Sequence, residues 1–366
     1  MKKLISAVFF MAAVLSGVNS GFAQQTQPAL ECGSTEYYND MLHNDPEFAV
    51  NQALLEQFTE DYTGSYIEER KSRSEQRGAS SAVRIIPVVF HVFHNFGPEN
   101  ISKAQILSSI EMLNEHFRKL HADTVDVPAV FKPIAADSEI EFRLATLDPN
   151  GNCTDGIVRV VSPLTYNASN NIKAVSYWPS NKYLNIWVAN TVVSAGSGNV
   201  VAGYSQFPGG NPLTDGIVMD YQYVGTTGTV NSGNLGRTVI HEIGHWFNLR
   251  HIWGDANCGN DFVSDTPTHE WHHLGQCPSH PFHVNQCGAG SSPDGEMTGN
   301  YMDYSTGVCR NIFSMGQAAR MNAALASSTS GRNNLWDPAN LVATGTAPGT
   351  SPVPCAPTAA FNDQDK

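Results

Sequence analysis

The stretch HEIGHWFNLRH, residues 241–251, decides how this chain folds. On a helix, His241 and His245 lie one turn apart on the same face, so both imidazoles can reach a single metal ion. Glu242 projects beside them, close to the ion without being one of its ligands. Zinc prefers nitrogen ligands of this kind, and a catalytic zinc site keeps one coordination position open for water. The stretch therefore predicts a catalytic Zn2+ site.

A third histidine completes this ligand set only if the helix ends early. A continuous helix cannot bring His251, six positions after His245, to the same ion, so the chain must turn sharply between them. Asn248 stands where this turn is needed, and asparagine tolerates the left-handed conformation better than most residues. We predict His241, His245 and His251 as the zinc ligands. The alternative is an ordinary amphipathic helix with surface histidines.

The composition limits the other classes of function. The 366 residues include 21 Lys+Arg and 34 Asp+Glu, which gives a net charge of −13. This acidity argues against nucleic-acid binding, which needs a basic face. No interior stretch reaches the roughly 18 apolar residues of a membrane span. We expect no membrane span, a monomer when mature, and protein or peptide substrates as partners.

The N-terminus predicts export from a bacterium into the extracellular space. Residues 1–23 combine a basic start at Lys2-Lys3, an apolar run over residues 4–15 and a small-residue end at Ala23. This is the layout of a secretory signal peptide, and a buried N-terminal helix is the alternative. The predicted location is therefore secreted.

A segment of different composition follows the signal peptide. It contains Cys32-Gly33, a polar helical stretch over residues 46–62 and a charged run from Glu68 to Gly78, which predicts an exposed linker. Proteases cut such linkers, so the segment is interpreted as a propeptide, with a solvated hinge as the plainer interpretation of the run. Signal peptide, propeptide, catalytic domain and C-terminal linker and tail are predicted at residues 1–23, 24–77, 78–340 and 341–366.

Apolar periodicity predicts the regular elements of the body. Strands are expected at residues 85–92, 140–147, 157–161, 183–188 and 216–219, with 203–207 between the last two, and helices at 102–120, 235–247 and 315–326. Pro87 indicates that the first strand starts there or lies at an edge. A layer of strands and helices followed by a loop-rich half indicates an α+β fold with a cleft between the halves.

The sequence NYMDY, residues 300–304, resembles the methionine-containing turn of the metzincin metalloproteases. Together with residues 241–251 and the sequence NDFVSDTP at 260–267, it makes the chain similar to the pappalysin family over roughly residues 83–326. The resemblance implies a two-subdomain α+β fold with a mixed twisted sheet and a loop-rich, disulfide-bridged C-terminal half. It also implies a zinc-dependent endopeptidase that is made as a zymogen.

The resemblance assigns roles to individual residues. Glu242 would be the general base and acid, Met302 the structural residue of the turn, and Tyr304 the group that stabilises the tetrahedral intermediate. Asn248 departs from the family, which usually has glycine there. The substrate would add as a strand to a sheet edge. In relatives this edge corresponds to Gly203, Tyr204 and Ser205.

Export permits disulfides, so most cysteines are interpreted as bonded. Four of them surround the loop-rich half and allow three pairings, among which the sequence cannot choose. The resemblance implies the pairs Cys258–Cys287 and Cys277–Cys309. A further pair, Cys153–Cys355, would tie down the tail.

Cys32 is the remaining cysteine. A thiolate is a strong zinc ligand, and Cys-Gly early in a propeptide resembles the cysteine switch of metalloprotease zymogens. We predict that Cys32 binds zinc in the latent zymogen. A disulfide with Cys153 or Cys355 is the alternative.

Two further clusters are candidates for metal binding. Asp261, Asp265 and Thr266 could hold structural Ca2+, as relatives do next to this loop; a solvated acidic turn is the alternative. Five histidines form a second rich stretch, but no spacing matches the zinc site, so a polar loop is favoured over a second metal site. These are His269, His272, His273, His280 and His283.

Substrate specificity is left open between two observations. Basic-specific relatives carry an acidic residue where this chain has Val308, whereas the arginines at 70, 73 and 77 would suit self-cleavage by a basic-specific enzyme.

Two other functions compete with an endopeptidase. A zinc aminopeptidase would take a later glutamate as third ligand, and a secreted zinc-containing binding protein with little activity would need a damaged catalytic set.

Overall fold

The structure is a computed structural model that describes residues 30–75 and 83–349. The predicted signal peptide, Arg77 and Cys355 lie outside these residues, and so does the pair considered for Cys153. Among the helices of the described ranges, none is both long enough and apolar enough to cross a membrane.

A mixed sheet forms the centre of the molecule. Its strands are β1 (Leu30–Cys32), β2 (Arg84–His94), β3 (Ile140–Leu144), β4 (Ile157–Val161), β5 (Leu184–Ala189), β6 (Val192–Val193), β7 (Val200–Ser205) and β8 (Ile217–Asp220). They follow the order β1-β7-β8-β5-β2-β3, while β4 also pairs with β2 and β6 with β7. The β7–β8 and β6–β7 pairs are antiparallel and the others are parallel. This confirms the expected mixed sheet.

Helices alternate with the strands in the first part of the chain, and the last three follow the sheet. They are α1 (Ser34–Asn44), α2 (Pro46–Glu75), α3 (Lys103–Phe117), α4 (Asn170–Lys173), α5 (Arg237–Trp246), α6 (Met315–Ala326) and α7 (Pro338–Ala343). Helix α3 starts after Ser102, whose hydroxyl accepts a hydrogen bond from the Gln105 N–H at 3.1 Å. Ser314 caps α6 in the same way and forms a capping box with Gln317. These caps satisfy N–H groups of the first turn that have no partner within the helix.

The main core lies between the sheet and helices α3 and α5. Val88 and Phe90 of β2 share one buried cluster with Leu113 of α3 and Ile243 of α5. Pro87 is inside this central strand, so the prediction of a strand start or edge is wrong. Pairing of β2 with β5 begins only at the next residue, so the missing N–H of Pro87 lies at the end of that ladder.

The two predicted linker regions are more ordered than their composition suggests. The charged run expected as an exposed linker is helical as far as Glu75, and Arg70 and Arg73 both pair with Glu139, at 3.4 and 3.0 Å. At the other end, the boundary expected after residue 340 falls inside α7. The carbonyl oxygen of Thr344 then accepts hydrogen bonds from the backbone of residues 146 and 147.

The chain between α5 and α6 contains few regular elements, as expected. Two disulfides hold it, Cys258–Cys287 and Cys277–Cys309, with Cα atoms 5.5 and 5.9 Å apart. Both pairings implied by the resemblance are confirmed. Cross-links of this kind restrict loops that bury little apolar surface of their own.

Candidate active site

Helix α5 and the turn after it bring three histidines to one point. His241 and His245 lie on α5, which ends at Trp246, and Asn248 then adopts the left-handed conformation with φ 72°. This turn returns His251 to the helix, as the sequence predicts. The three Nε2 atoms lie 3.1–3.2 Å from one another, and all three rings are buried.

The opposite nitrogen of each ring has its own acceptor. Nδ1 of His241 lies 2.7 Å from the carbonyl oxygen of Tyr301, and Nδ1 of His245 lies 2.8 Å from that of Leu249. Nδ1 of His251 contacts the carboxylate of Asp255. Because these acceptors hold a proton on every Nδ1, the Nε2 lone pairs face the common centre.

The geometry fits a zinc ion at this centre. Zn–N bonds of about 2.0–2.1 Å in a tetrahedron place neighbouring nitrogens about 3.3–3.4 Å apart, close to the observed separations. Burial, followed by the neighbouring imidazoles, lowers the pKa of His241 and His245 well below the usual value. Both rings are therefore neutral, which is the form that binds metal.

Glu242 lies beside this centre, fully buried. Its Oε2 accepts hydrogen bonds from the hydroxyls of Ser34, at 2.8 Å, and Ser205, at 3.1 Å. Among the described residues, its Oε1 has no hydrogen-bond partner. Burial raises the pKa of Glu242 to about 7, a shift that the two hydroxyls oppose. A carboxylate with such a pKa is suited to exchanging protons near neutral pH.

The methionine turn packs directly beneath α5. Met302 is fully buried, and a Cβ added to Gly244 would lie 2.4 Å from its sulfur. The helix can therefore approach the turn only because residue 244 has no side chain. This contact sets the distance between helix α5 and the methionine turn, where the carbonyl oxygen of Tyr301 accepts a hydrogen bond from His241.

Gly244→Ala should consequently destabilise the site. We expect a loss of about 1–3 kcal/mol of unfolding free energy, typical of an overpacked core, and weaker retention of zinc. Thermal unfolding with and without added zinc measures both effects. Gly233→Ala is the matched control, because its nearest contact would be 3.5 Å away. Equal stability of the two variants would contradict the packing argument.

Tyr304 follows the methionine turn and faces the histidines. Its ring centroid lies 4.9 Å from that of His251, and its hydroxyl donates to the carbonyl oxygen of Cys32 at 3.3 Å. A hydroxyl that reaches a peptide carbonyl beside the metal ligands is in a position to stabilise an oxyanion.

Strand β7 carries the residues predicted to bind substrate, and its outer edge is already covered. Strand β1 pairs with it in parallel, with Cys32 opposite Gly203. The Gly33 N–H donates to the carbonyl of Gly203 at 2.9 Å, and the Ser205 N–H donates to the Ser34 hydroxyl at 2.8 Å. The predicted propeptide thus occupies the edge expected to receive substrate.

Cys32 completes the cluster. It is a buried free thiol, so the disulfide considered as its alternative is not present. Its sulfur and one nitrogen of each of His241, His245 and His251 all lie within 4.8 Å of one another. Burial, then the charge of Glu242, raises the pKa of the thiol well above its usual value. The thiol therefore lies where a fourth metal ligand would be needed beside the three histidines.

The residues considered for calcium point in different directions. The Thr266 hydroxyl donates to Asp261 at 2.8 Å, and burial raises the pKa of Asp261 to about 7. Asp265 instead accepts hydrogen bonds from the Ser314 hydroxyl and the Gly316 N–H at the start of α6, at 2.6 and 2.9 Å. Its carboxylate therefore already anchors a helix.

Val308, the position considered for basic specificity, is 47% exposed. It lines a cavity of about 430 Å³ together with Asp123 and Asp126. Carboxylates from the segment after α3 therefore lie near the position at which basic-specific relatives carry an acidic residue.

Three polar residues that hold the site together are not among those predicted from the sequence. Asp255 orients His251, Thr35 donates to Asp255 at 2.9 Å, and Ser34 donates to Glu242. A carboxylate four residues after the third histidine is a signal that could have revealed Asp255, since metal-binding histidines commonly have such partners. The two hydroxyl residues carry no signal beyond their position after Cys32.

Comparisons with known proteins agree with this geometry. The family model described as pregnancy-associated plasma protein-A, peptidase M43, matches residues 167–326. An extracellular metalloprotease of Arthroderma otae is 29% identical over 248 residues, which cover 65% of this chain and 77% of the relative. An extracellular metalloprotease of Trichophyton verrucosum is 29% identical over 245 residues, covering 64% and 75%.

Solved structures give a closer match. Mature mirolysin of Tannerella forsythia, in complex with a cleaved peptide, is 39% identical with a TM-score of 0.64 and covers 71% of this chain and 98% of its own. A promirolysin mutant of the same organism is 36% identical with a TM-score of 0.67, covering 85% and 98%. The chain therefore belongs to the pappalysin family of metzincin zinc metalloendopeptidases.

Proposed function

We propose that this chain is a secreted zymogen whose zinc is held by His241, His245 and His251 and whose general base is Glu242. The observation that carries the proposal is the convergence of three Nε2 lone pairs while every Nδ1 is committed to another acceptor. Zinc bound there supplies a Lewis acid that acidifies water and polarises a peptide carbonyl.

The chain's own groups perform the proton transfers. Glu242 accepts a proton from the attacking water through Oε1, the oxygen without a partner among the described residues, and later gives it to the leaving amine. The Ser205 hydroxyl donates to both the carbonyl and Oε2 of Glu242, at 2.5 and 3.1 Å, and so holds the carboxylate in position. The Tyr304 hydroxyl stabilises the oxyanion that develops on the substrate.

The propeptide keeps the enzyme latent by occupying the substrate edge. Strand β1 pairs with β7 along the edge to which a substrate would add as an extended strand. Cys32 would supply a thiolate to zinc, and the Ser34 hydroxyl donates a hydrogen bond to the general base Glu242. One short segment, residues 32–34, therefore blocks the substrate edge, the metal and the general base together.

Helix α2 holds this segment in place from the other side of the cleft. Glu56 pairs with Arg320 of α6 at 2.8 Å and accepts from the Asn248 side chain at 3.0 Å. Tyr66 accepts from Asn322 at 3.1 Å. The propeptide thus contacts both the sheet edge and the helix that follows the methionine turn.

The remaining properties are part of the same proposal. Secretion is supported by the predicted signal peptide and by relatives named extracellular metalloproteases. The mature enzyme is a monomer that acts on proteins or peptides and does not bind nucleic acid. Structural calcium would use Asp261 and Thr266, with Asp265 contributing only if it leaves α6.

Metal removal tests the proposed function. A zinc chelator should abolish cleavage of denatured protein by the processed enzyme, and one equivalent of zinc should restore it, whereas calcium or magnesium should not, because imidazole nitrogens favour zinc. A serine-protease inhibitor is the control and should have no effect. Zinc binding without any cleavage would instead favour a zinc-containing binding protein.

A further inference from the structure

The histidine-rich stretch after α5, predicted to be a polar loop, is partly buried. His269 and His273 are buried, and three side chains distant in sequence converge beside the methionine turn. They are His273, His283 and Glu296, whose donor atoms all lie within 4.8 Å of one another. This cluster shares no residue with the proposed catalytic centre.

The donor atoms of this cluster are close but poorly bonded to each other. Oε2 of Glu296 lies 3.0 Å from Nε2 of His273 and 3.4 Å from Nδ1 of His283. Glu296 is 1% exposed, and the Nδ1 of His283 beside it has no hydrogen-bond partner in the part of the chain that the structure describes. A carboxylate oxygen of Glu270 lies 3.5 Å from the same Nδ1.

A second layer of contacts orients the cluster. The carboxylate of Asp303 lies 2.7 Å from Nδ1 of His273, which turns the Nε2 lone pair of that ring towards Glu296. The other oxygen of Glu296 accepts from the Glu270 N–H at 2.7 Å. Histidines that bind a metal typically donate their other ring N–H to a carboxylate, and carboxylates that bind a metal typically accept a further hydrogen bond.

We infer that His273, His283 and Glu296 form a second binding site for a divalent transition metal, with zinc as its natural occupant. The separations of Glu296 Oε2 from the two ring nitrogens, 3.0 and 3.4 Å, are close to those between ligands of a tetrahedral zinc ion. Two imidazole nitrogens favour zinc over calcium, which prefers an all-oxygen shell.

The site would be structural. Two of its three donors, His273 and Glu296, are buried, and none of the three belongs to the proposed catalytic centre. Asp303 follows Met302 directly and also accepts from the Tyr304 N–H at 2.8 Å. An ion at this site would therefore tie the disulfide-bridged loop to the methionine turn, from which Tyr304 reaches the active site.

The competing explanation needs no metal. A protonated His273 would form ion pairs with both Asp303 and Glu296, but this leaves Nδ1 of His283 without a hydrogen bond among the described residues. The two explanations differ in the number of zinc ions per chain, which is independent of proteolytic activity.

The experiment measures zinc by elemental analysis in the full-length chain after dialysis against a weak chelator. We expect two zinc ions per chain in the wild type and one in His283→Ala, because half-buried His283 can be replaced without opening the core. His280→Ala is the matched control from the same loop and should keep two. His283→Asp should also keep two, because aspartate supplies an oxygen ligand in place of the imidazole nitrogen.

The measured quantity is the difference in zinc content between wild type and His283→Ala. This difference does not depend on whether the catalytic centre holds zinc, so a failure of the proposed function would be distinguishable from a failure of this inference. Equal zinc content in these two proteins would overturn the inference. The same loss in His280→Ala would also overturn it, because the effect would then belong to the loop as a whole. Loss of zinc in His283→Asp, in a variant with wild-type thermal stability, would overturn it too.

Discussion

Glu242→Gln should lower the rate of peptide-bond cleavage by the processed enzyme by at least about a hundredfold, since general acid–base catalysis typically contributes about 10²–10⁴-fold. Zinc should stay bound, because the three histidines that hold it do not use this side chain. Glutamine can still accept from Ser34 and Ser205, so the packing around the site is kept. Cleavage of a fluorogenic peptide and zinc content are measured on the same preparation.

The matched control is Glu115→Gln, which removes an exposed carboxylate from α3. It should leave both the cleavage rate and the zinc content unchanged. If Glu242→Gln cleaves at the wild-type rate, the general base lies elsewhere. If Glu242→Gln loses zinc, Glu242 supports the metal ligands, and the fall in cleavage rate would not show a role in proton transfer.

Cys32→Ala should relieve latency and produces the second large effect. Among the His, Cys, Asp and Glu side chains of the described propeptide residues, only Cys32 reaches the centre of the three histidines, and zinc would keep its sulfur as a thiolate. We expect the unprocessed variant to mature faster and its activity to rise at least about tenfold, since a metal–thiolate bond is stronger than a typical hydrogen bond, which contributes about 0.5–1.5 kcal/mol. Precursor disappearance on gels and peptide cleavage record both effects.

Two variants separate the metal–thiolate bond from the other propeptide contacts. Ser34→Ala removes only the hydrogen bonds of its hydroxyl and should raise activity less than Cys32→Ala does. Ser65→Ala, on an exposed position of α2, should change nothing. Should Cys32→Ala stay as latent as wild type, the β1 pairing and helix α2 would account for latency without a metal–thiolate bond.

Local geometry explains why the catalytic cluster is predictable. One turn of helix separates His241 from His245, and the left-handed Asn248 follows from the need to return His251 to the same ion. Both are consequences of a few adjacent residues, which the sequence displays directly. The predicted helix starts at residues 102 and 315 agree to within one residue with those of α3 and α6 for the same reason.

Contacts between distant segments are not visible in this way. Strand β1 has only three residues, too few to show alternation, and its pairing depends on the exposed edge of β7. The charged end of α2 has the composition of a linker, but Arg70 and Arg73 find Glu139 on the catalytic domain. A solvated linker and a helix docked by ion pairs use the same residue types.

The second histidine cluster shows the same limit. His273, His283 and Glu296 have no helical or short-loop spacing, and they lie in a loop-rich stretch that two disulfides cross-link. Pro87 shows a different limit. Proline is typical of strand edges, but Pro87 lies in the central strand β2, just before its pairing with β5 begins.

The double attachment of the propeptide has a consequence for activation. A single cut between residues 75 and 83 leaves the β1 ladder and the contacts of α2 with α6 intact. The severed segment then remains as a separate inhibitor whose hold depends on its dissociation constant and on concentration. Activity would therefore appear on dilution after export, or when the released segment is itself degraded, rather than at the moment of the cut.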